Sequence, residues 1–153
     1  MKKIISLIVI LLFITGCGKK EEGFYLTYNN KNINLGEVFD VNIHGQYNDM
    51  FESENCAFGD RDITYIYDNI EIETYGNKKN ELIIYSIVLS SENVKNNEGI
   101  GLYDSIDDAI KKYGDKYERD DNKYTYVKGD TSLIFIVDNN LIESIEYRLN
   151  NIE

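Results

Sequence analysis

One histidine, His44, and two cysteines, Cys17 and Cys56, are the residues of this 153-residue chain best suited to nucleophilic or metal chemistry. A Ser-His-Asp arrangement would have to use His44, yet its neighbours are Ile43 and Gly45, and no Gly-x-Ser-x-Gly elbow is present. A Cys56–His44 pair is the other nucleophilic option, because proximity in space is invisible in sequence. One histidine with one free thiol falls short of the three or four ligands that zinc takes. Glycine-rich phosphate loops are absent. The 27 acidic residues are so numerous that no single pair of carboxylates stands out. The sequence therefore assigns no catalytic residue, no metal ligand and no cofactor. What it offers in quantity is tyrosine, 13 residues with no tryptophan. Each is a rigid ring with a hydroxyl, which makes contacts at low entropic cost.

Cys17 has a setting of its own. Lys2 and Lys3 precede an apolar run, Ile4 to Ile14, that stops at Ile14-Thr15-Gly16-Cys17. A basic start, a short apolar segment and small residues describe a secretory signal, and the last four residues resemble the lipobox of bacterial lipoproteins. That resemblance implies a signal peptide over residues 1–16, a diacylglyceryl group on the Cys17 thiol and a lipidated tether over 17–23. The apolar run is shorter than the roughly 17 to 25 residues needed to span a bilayer. The expected location is the extracytoplasmic face of the cell membrane, where the six residues Gly18 to Gly23 reach at most about 20 Å. With Cys17 acylated, Cys56 has no partner within the monomer and reads as a small buried apolar residue in Asn55-Cys56-Ala57-Phe58.

The formal net charge is −11, and loss of Lys2 and Lys3 takes it to −11 − 2 = −13. A surface of that sign repels nucleic acid and anionic head groups, so nucleic acid is excluded as a partner and membrane attachment falls to the lipid rather than to a basic patch. A hydrophobic content of 42% is ordinary for a folded domain.

The elements that must position any site are legible from alternation and turn residues. Phe24 to Tyr28 and Lys31 to Leu35 read as strands around Asn29-Asn30. Ile63 to Tyr67, Ile70 to Tyr75 and Leu82 to Leu89 follow, then Lys123 to Val127, Leu133 to Val137 and Leu141 to Leu149. Between the two series lies a helix, Ser105 to Tyr113. Ile106, Ala109, Ile110 and Tyr113 form its apolar stripe, Ser105 its cap, Asp107 and Asp108 its acidic start, Lys111 and Lys112 its basic end, and Gly114 its stop.

The halves parallel each other: Tyr65-Ile66-Tyr67, Ile70 to Tyr75 and Ile84-Tyr85-Ser86-Ile87 match Tyr124-Thr125-Tyr126, Leu133 to Val137 and Ile142-Glu143-Ser144-Ile145 at a spacing of about 58 residues. By the same spacing, a shorter helix is expected within residues 38–44, weakened by Val38, Val41 and Ile43. The expected architecture is one α+β domain over residues 24–153, made of related units at about 24–92 and 93–153, each an antiparallel sheet with helices on one face.

At Cys56-Ala57-Phe58, Thr64 to Tyr67, Glu98-Gly99-Ile100-Gly101-Leu102, Tyr113-Gly114, Tyr124 to Asp130 and Ser144-Ile145-Glu146-Tyr147, the chain resembles lipoproteins of Gram-positive bacteria. A helix ending in Tyr-Gly before three antiparallel strands is also similar to the β-lactamase-inhibitor-protein-like fold. The resemblance implies helices on one sheet face, with the other face free to bind protein, and brings no catalytic residues with it.

Tyr65, Tyr67, Tyr124 and Tyr126, spaced by two, are expected to line inner strand faces. On the strand from Ile70, alternation sets Ile70 and Ile72 against Glu71, Glu73 and Tyr75, and Ile84, Ser86 and Val88 against Ile83, Tyr85, Ile87 and Leu89. Glu71, Glu73 and Tyr75 are the candidate partner-binding patch. The function expected is a non-enzymatic, membrane-anchored protein-binding module of the envelope with an envelope protein as partner. The alternatives are an inhibitor of an extracellular enzyme, or an enzyme with an unrecognised site.

Overall fold

The computed structural model describes residues 23–53 and 61–152. Cys17, the signal segment and Cys56 lie outside the described residues. The order of elements is β1 (Tyr25–Tyr28), β2 (Lys31–Asn34), α1 (Val41–His44), β3 (Asp49–Ser53), β4 (Asp62–Ile66), β5 (Ile70–Gly76), β6 (Leu82–Leu89), α2 (Ile106–Tyr113), β7 (Glu118–Asp120), β8 (Lys123–Lys128), β9 (Thr131–Asp138) and β10 (Leu141–Leu149). Antiparallel sheet dominates, and helix is confined to the four residues of α1 and the eight of α2. No helix among the described residues is long and apolar enough to cross a membrane.

β1 and β2 form a hairpin whose turn residues, Asn29 and Asn30, both have positive φ, as asparagine tolerates. The other strands make one eight-stranded sheet in the order β3-β4-β5-β6-β10-β9-β8-β7. The succession of a helix and four strands thus occurs twice in the chain. Two antiparallel meanders meet at their last strands, β6 and β10, with β3 and β7 at the outer edges. The seam is short: Glu146 pairs with Val88, Tyr147 with Ile87 and Arg148 with Ser86.

Register divides the sheet into two faces, because residues paired across antiparallel strands share a side. One face carries the row Met50, Tyr65, Ile72, Ile87, Tyr147, Leu133 and Tyr126. Tyr65, Tyr67, Tyr124 and Tyr126 are all buried in the core with it. Leu26 and Ile33 of the hairpin are fully buried in the same core, and Phe24, Tyr28, Leu35, Phe39 and Tyr47 pack against it.

α2 forms where the local signals place it. Ser105 Oγ accepts from the Asp107 amide, and the Gly114 amide closes the last turn on the Ile110 carbonyl at 2.8 Å. Ile106 and Ala109 are buried, but Ile110 and Tyr113 are only partly covered. The stripe is therefore narrower than its spacing suggests. Tyr113 still meets Phe135 and Tyr126, with ring centroids at 5.9 and 5.3 Å.

α1 is a single turn. Asp40 caps it through the Asn42 amide, and Ile43 is left 55% exposed. Two strands fall outside the sequence reading. β3 and β7 are exposed along their whole length, so neither has the alternation that would reveal it.

Candidate partner-binding face

The second face of the sheet carries two long rows. Asp49, Ile66, Glu71, Val88, Glu146, Ile134, Thr125 and Glu118 form one, crossing all eight strands. Phe51, Thr64, Glu73, Ser86, Arg148, Ser132 and Val127 form the other. Half-buried aliphatic side chains (Ile66, Val88, Ile136) alternate here with carboxylates, while Phe51 and Val127 stand 59% and 56% exposed at opposite margins.

Glu71 and Glu73 lie on this face, each half-buried. Tyr75 shares their side by alternation but is only 6% exposed. It pairs with Ile83 and with Asp62, and its ring lies 6.2 Å from that of Tyr85. Tyr75 is therefore a packing residue, and the exposed aromatic anchor expected at that position is absent. The accessible part of the patch is Glu71 and Glu73 with their neighbours.

The strict alternation expected along β6 also fails, and a bulge is the reason. Glu73 pairs with Ser86 and Thr74 with Ile84, so Tyr85 is an extra residue in the ladder. Ile84 thereby joins Ile87 and Leu89 in the core, whereas Ile83, Ser86 and Val88 face the other way. Tyr85 turns towards Glu73: burial, and then the carboxylates of Glu73 and Asp62, push its phenol far above the ordinary tyrosine range.

At the centre of the face, Arg148 Nε donates to Glu146 Oε1 at 2.6 Å, and Ser86 Oγ donates to the same oxygen at 3.2 Å. Only the bond from Ser86 crosses the seam, from β6 to β10, since Arg148 and Glu146 share one strand. A charge-assisted contact on a half-buried carboxylate fixes the side chains more than it stabilises the fold. The face thus offers ordered carboxylates and aliphatic contact area.

His44 occupies a structural position. Its ring is buried, Nε2 lies 3.0 Å from Glu37 Oε1, Nδ1 lies 3.0 Å from the Asp40 amide nitrogen, and Phe39 stacks on it at 5.2 Å. Burial raises the Glu37 carboxyl, but hydrogen bonds from the Asn34 amide and His44 outweigh it and leave the pKa lowered. Both imidazole nitrogens are engaged, so His44 offers no free base to a substrate. Among the described residues, no group of histidine, cysteine and carboxylate side chains is arranged to hold a metal.

A cleft of about 470 Å³ lies near the start of the domain, lined in part by Gly23, Phe24, Lys112, Lys116, Lys128 and Tyr147. The Tyr147 hydroxyl is buried beneath it, beside the Asn97 amide but without a well-formed hydrogen bond. Burial holds this phenol far above its usual range. Set against protein-family models, curated proteins and solved structures, the chain finds no match.

Proposed function

We propose that this chain is a membrane-tethered, non-enzymatic binding module of the cell envelope. Lipid on Cys17 holds it at the extracytoplasmic face of the membrane, and a protein partner docks on the sheet face that carries Glu71 and Glu73. In this reading α1, α2 and the β1–β2 hairpin belong to the core side of each unit, and the opposite side is the recognition surface. The observation that carries the proposal is the row from Asp49 to Glu118, which continues one mixed aliphatic and acidic surface across every strand of the large sheet. Carboxylates around an aliphatic strip speed association with a basic partner, while the apolar area supplies the affinity.

The test is crosslinking in intact envelopes with wild-type protein, with Glu71→Lys combined with Glu73→Lys, and with Asp107→Lys on α2 as a control. Loss of a specific crosslinked partner in the double variant, with retention in the control, is the expected result. Equal capture by all three overturns this face as the site. The anchor is tested separately by mass spectrometry of the N-terminal peptide. A diacylglyceryl group on Cys17 is expected, and Cys17→Ser should release the chain from lipoprotein processing.

A further inference from the structure

The core side of the sheet holds one hydroxyl that the fold does not use. Tyr147 sits on β10 between Ile87 of β6 and Leu133 of β9, and it is 1% exposed. Three paired strands therefore fix its ring, yet its hydroxyl finds no hydrogen-bond partner among the described residues. Burial, and then Tyr113, hold this phenol far above the ordinary tyrosine range, so the oxygen keeps its proton at physiological pH. A buried donor left unspent is a standing cost to the fold.

The groups around it are committed elsewhere. The Asn97 amide is itself a donor and cannot take the proton. Asn97 Oδ1 accepts from the Thr27 amide at 2.8 Å and its Nδ2 donates to the Tyr25 carbonyl at 2.9 Å, which ties this loop to the β1–β2 hairpin. Asn96 Oδ1 accepts from the Glu98 and Ile100 amides, so the loop is pinned on its other side as well. Over Tyr147 lies the cleft of about 470 Å³, a volume within the range of small-molecule sites. Its walls include Tyr126, whose hydroxyl is spent on Gly114, and the edge-on pair Phe24 and Tyr113, with centroids at 6.2 Å. Phe24 and Tyr113 are only partly buried, so a small shift of either ring admits a ligand atom to the hydroxyl without disturbing the sheet. Lys112, Lys116 and Lys128 are exposed around the cleft, with the Glu98 carboxylate among them.

We propose that this cleft binds a small organic carboxylate: one carboxylate oxygen accepts from the Tyr147 hydroxyl, the other faces a lysine, and the apolar body lies against Phe24 and Tyr113. The buried hydroxyl carries the selectivity, not the charge of the surface. An exposed lysine in water adds little, whereas a desolvated O–H···O⁻ bond is short and strong. One buried donor beside the Glu98 carboxylate suits a monoanion better than a phosphate dianion. The cleft lies on the core side of the sheet, so the proposal is independent of docking at Glu71 and Glu73.

The experiment titrates the full chain, held in mild detergent, with phenylacetate, its neutral isostere phenylacetamide and phenyl phosphate, in wild type, Tyr147→Phe and Lys128→Gln. Calorimetry should show saturable binding of phenylacetate to wild type, weakened about tenfold or more in Tyr147→Phe, the factor for one charge-assisted hydrogen bond. Lys128→Gln should weaken it by less, and phenylacetamide and phenyl phosphate should each bind less tightly than phenylacetate. Without ligand, Tyr147→Phe should melt no lower than wild type, because the hydroxyl it loses bonds to nothing in the fold. Absence of saturable phenylacetate binding, or equal affinity in Tyr147→Phe, overturns the site. A lower melting temperature of unliganded Tyr147→Phe overturns it too, by showing that the hydroxyl already has a partner. A larger loss in Lys128→Gln than in Tyr147→Phe overturns the role of the hydroxyl, and tighter binding of the amide or the phosphate overturns the carboxylate.

Discussion

Tyr126 donates its hydroxyl proton to the Gly114 carbonyl at 2.8 Å, tying β8 to the residue that ends α2. The other half repeats the device: Tyr67 donates to the Gly45 carbonyl at 3.3 Å, just past α1. In each half a second tyrosine follows the glycine and packs on the tyrosine pair of the adjoining strand, Tyr47 on Tyr65 at 4.9 Å and Tyr117 on Tyr124 at 5.1 Å. The pattern Tyr-x-Tyr is therefore a clamp in which one ring packs and one hydroxyl secures a helix end. Tyr126→Phe should cost about 1 kcal/mol, the usual net contribution of one hydrogen bond. Tyr67→Phe, with the longer bond, should cost less. Urea denaturation of the two variants checks the order.

The glycines of the clamp should resist substitution. Gly45 has φ 92° and ψ 174°, and Gly114 has φ 86° and ψ −174°, a region open essentially only to glycine. An added Cβ would meet nothing within 4 Å at either position, so the whole penalty is backbone strain. Alanine at either site should lower stability by about 1 to 3 kcal/mol. Asparagine should not rescue it, because asparagine favours αL, where ψ is near +45°. A neutral Gly114→Ala by thermal melt would refute this account.

On α2 the contrast lies between Ile106, buried at 3% exposure, and Ile110, which is only partly covered. Ile106→Ala should cost about 2 to 5 kcal/mol, the range for a buried isoleucine. Ile110→Ala should cost clearly less, and Asp107→Ala less again. Chemical denaturation that ranked Ile110 above Ile106 would place the helix on a different face.

Alkaline pH should weaken the fold through the clamp. Burial, and then neighbouring tyrosines, push Tyr67 up to about 12, and burial with Tyr117 does the same for Tyr126. A raised folded-state pKa means that the stabilisation is complete below the unfolded value near 10 and is lost as pH rises towards 12. The denaturation midpoint should therefore fall over that interval, and the Tyr67→Phe, Tyr126→Phe double variant should show a shallower fall. A parallel decline in wild type and variant would assign it to other groups.

Much of this architecture was legible in the sequence because its signals are local. Caps, dipole-matched charges and a terminal glycine specified α2, and β-rich runs divided by turn residues placed β4 to β6 and β8 to β10. The edge strands β3 and β7 were not legible, since a strand exposed on both sides leaves no apolar period. Neither was the bulge at Tyr85, which shifts Ile84 into the core without altering composition. Tyr75 shows the limit of alternation as a guide to a site. Its side of the strand followed from its position, but its burial depends on Tyr85 and Ile83 from a neighbouring strand.

The central position of β10 also sets the order of events in time. It is the last strand of the sheet in chain order, yet it lies between β6 and β9. Until it arrives, both of those strands present open edges, and the two meanders have nothing to join them. Phe24 waits in the same way for Thr131, a partner 107 positions later. The large sheet closes only once β10 has been made, and a truncation that removes β10 should yield two sticky half-sheets rather than a smaller domain.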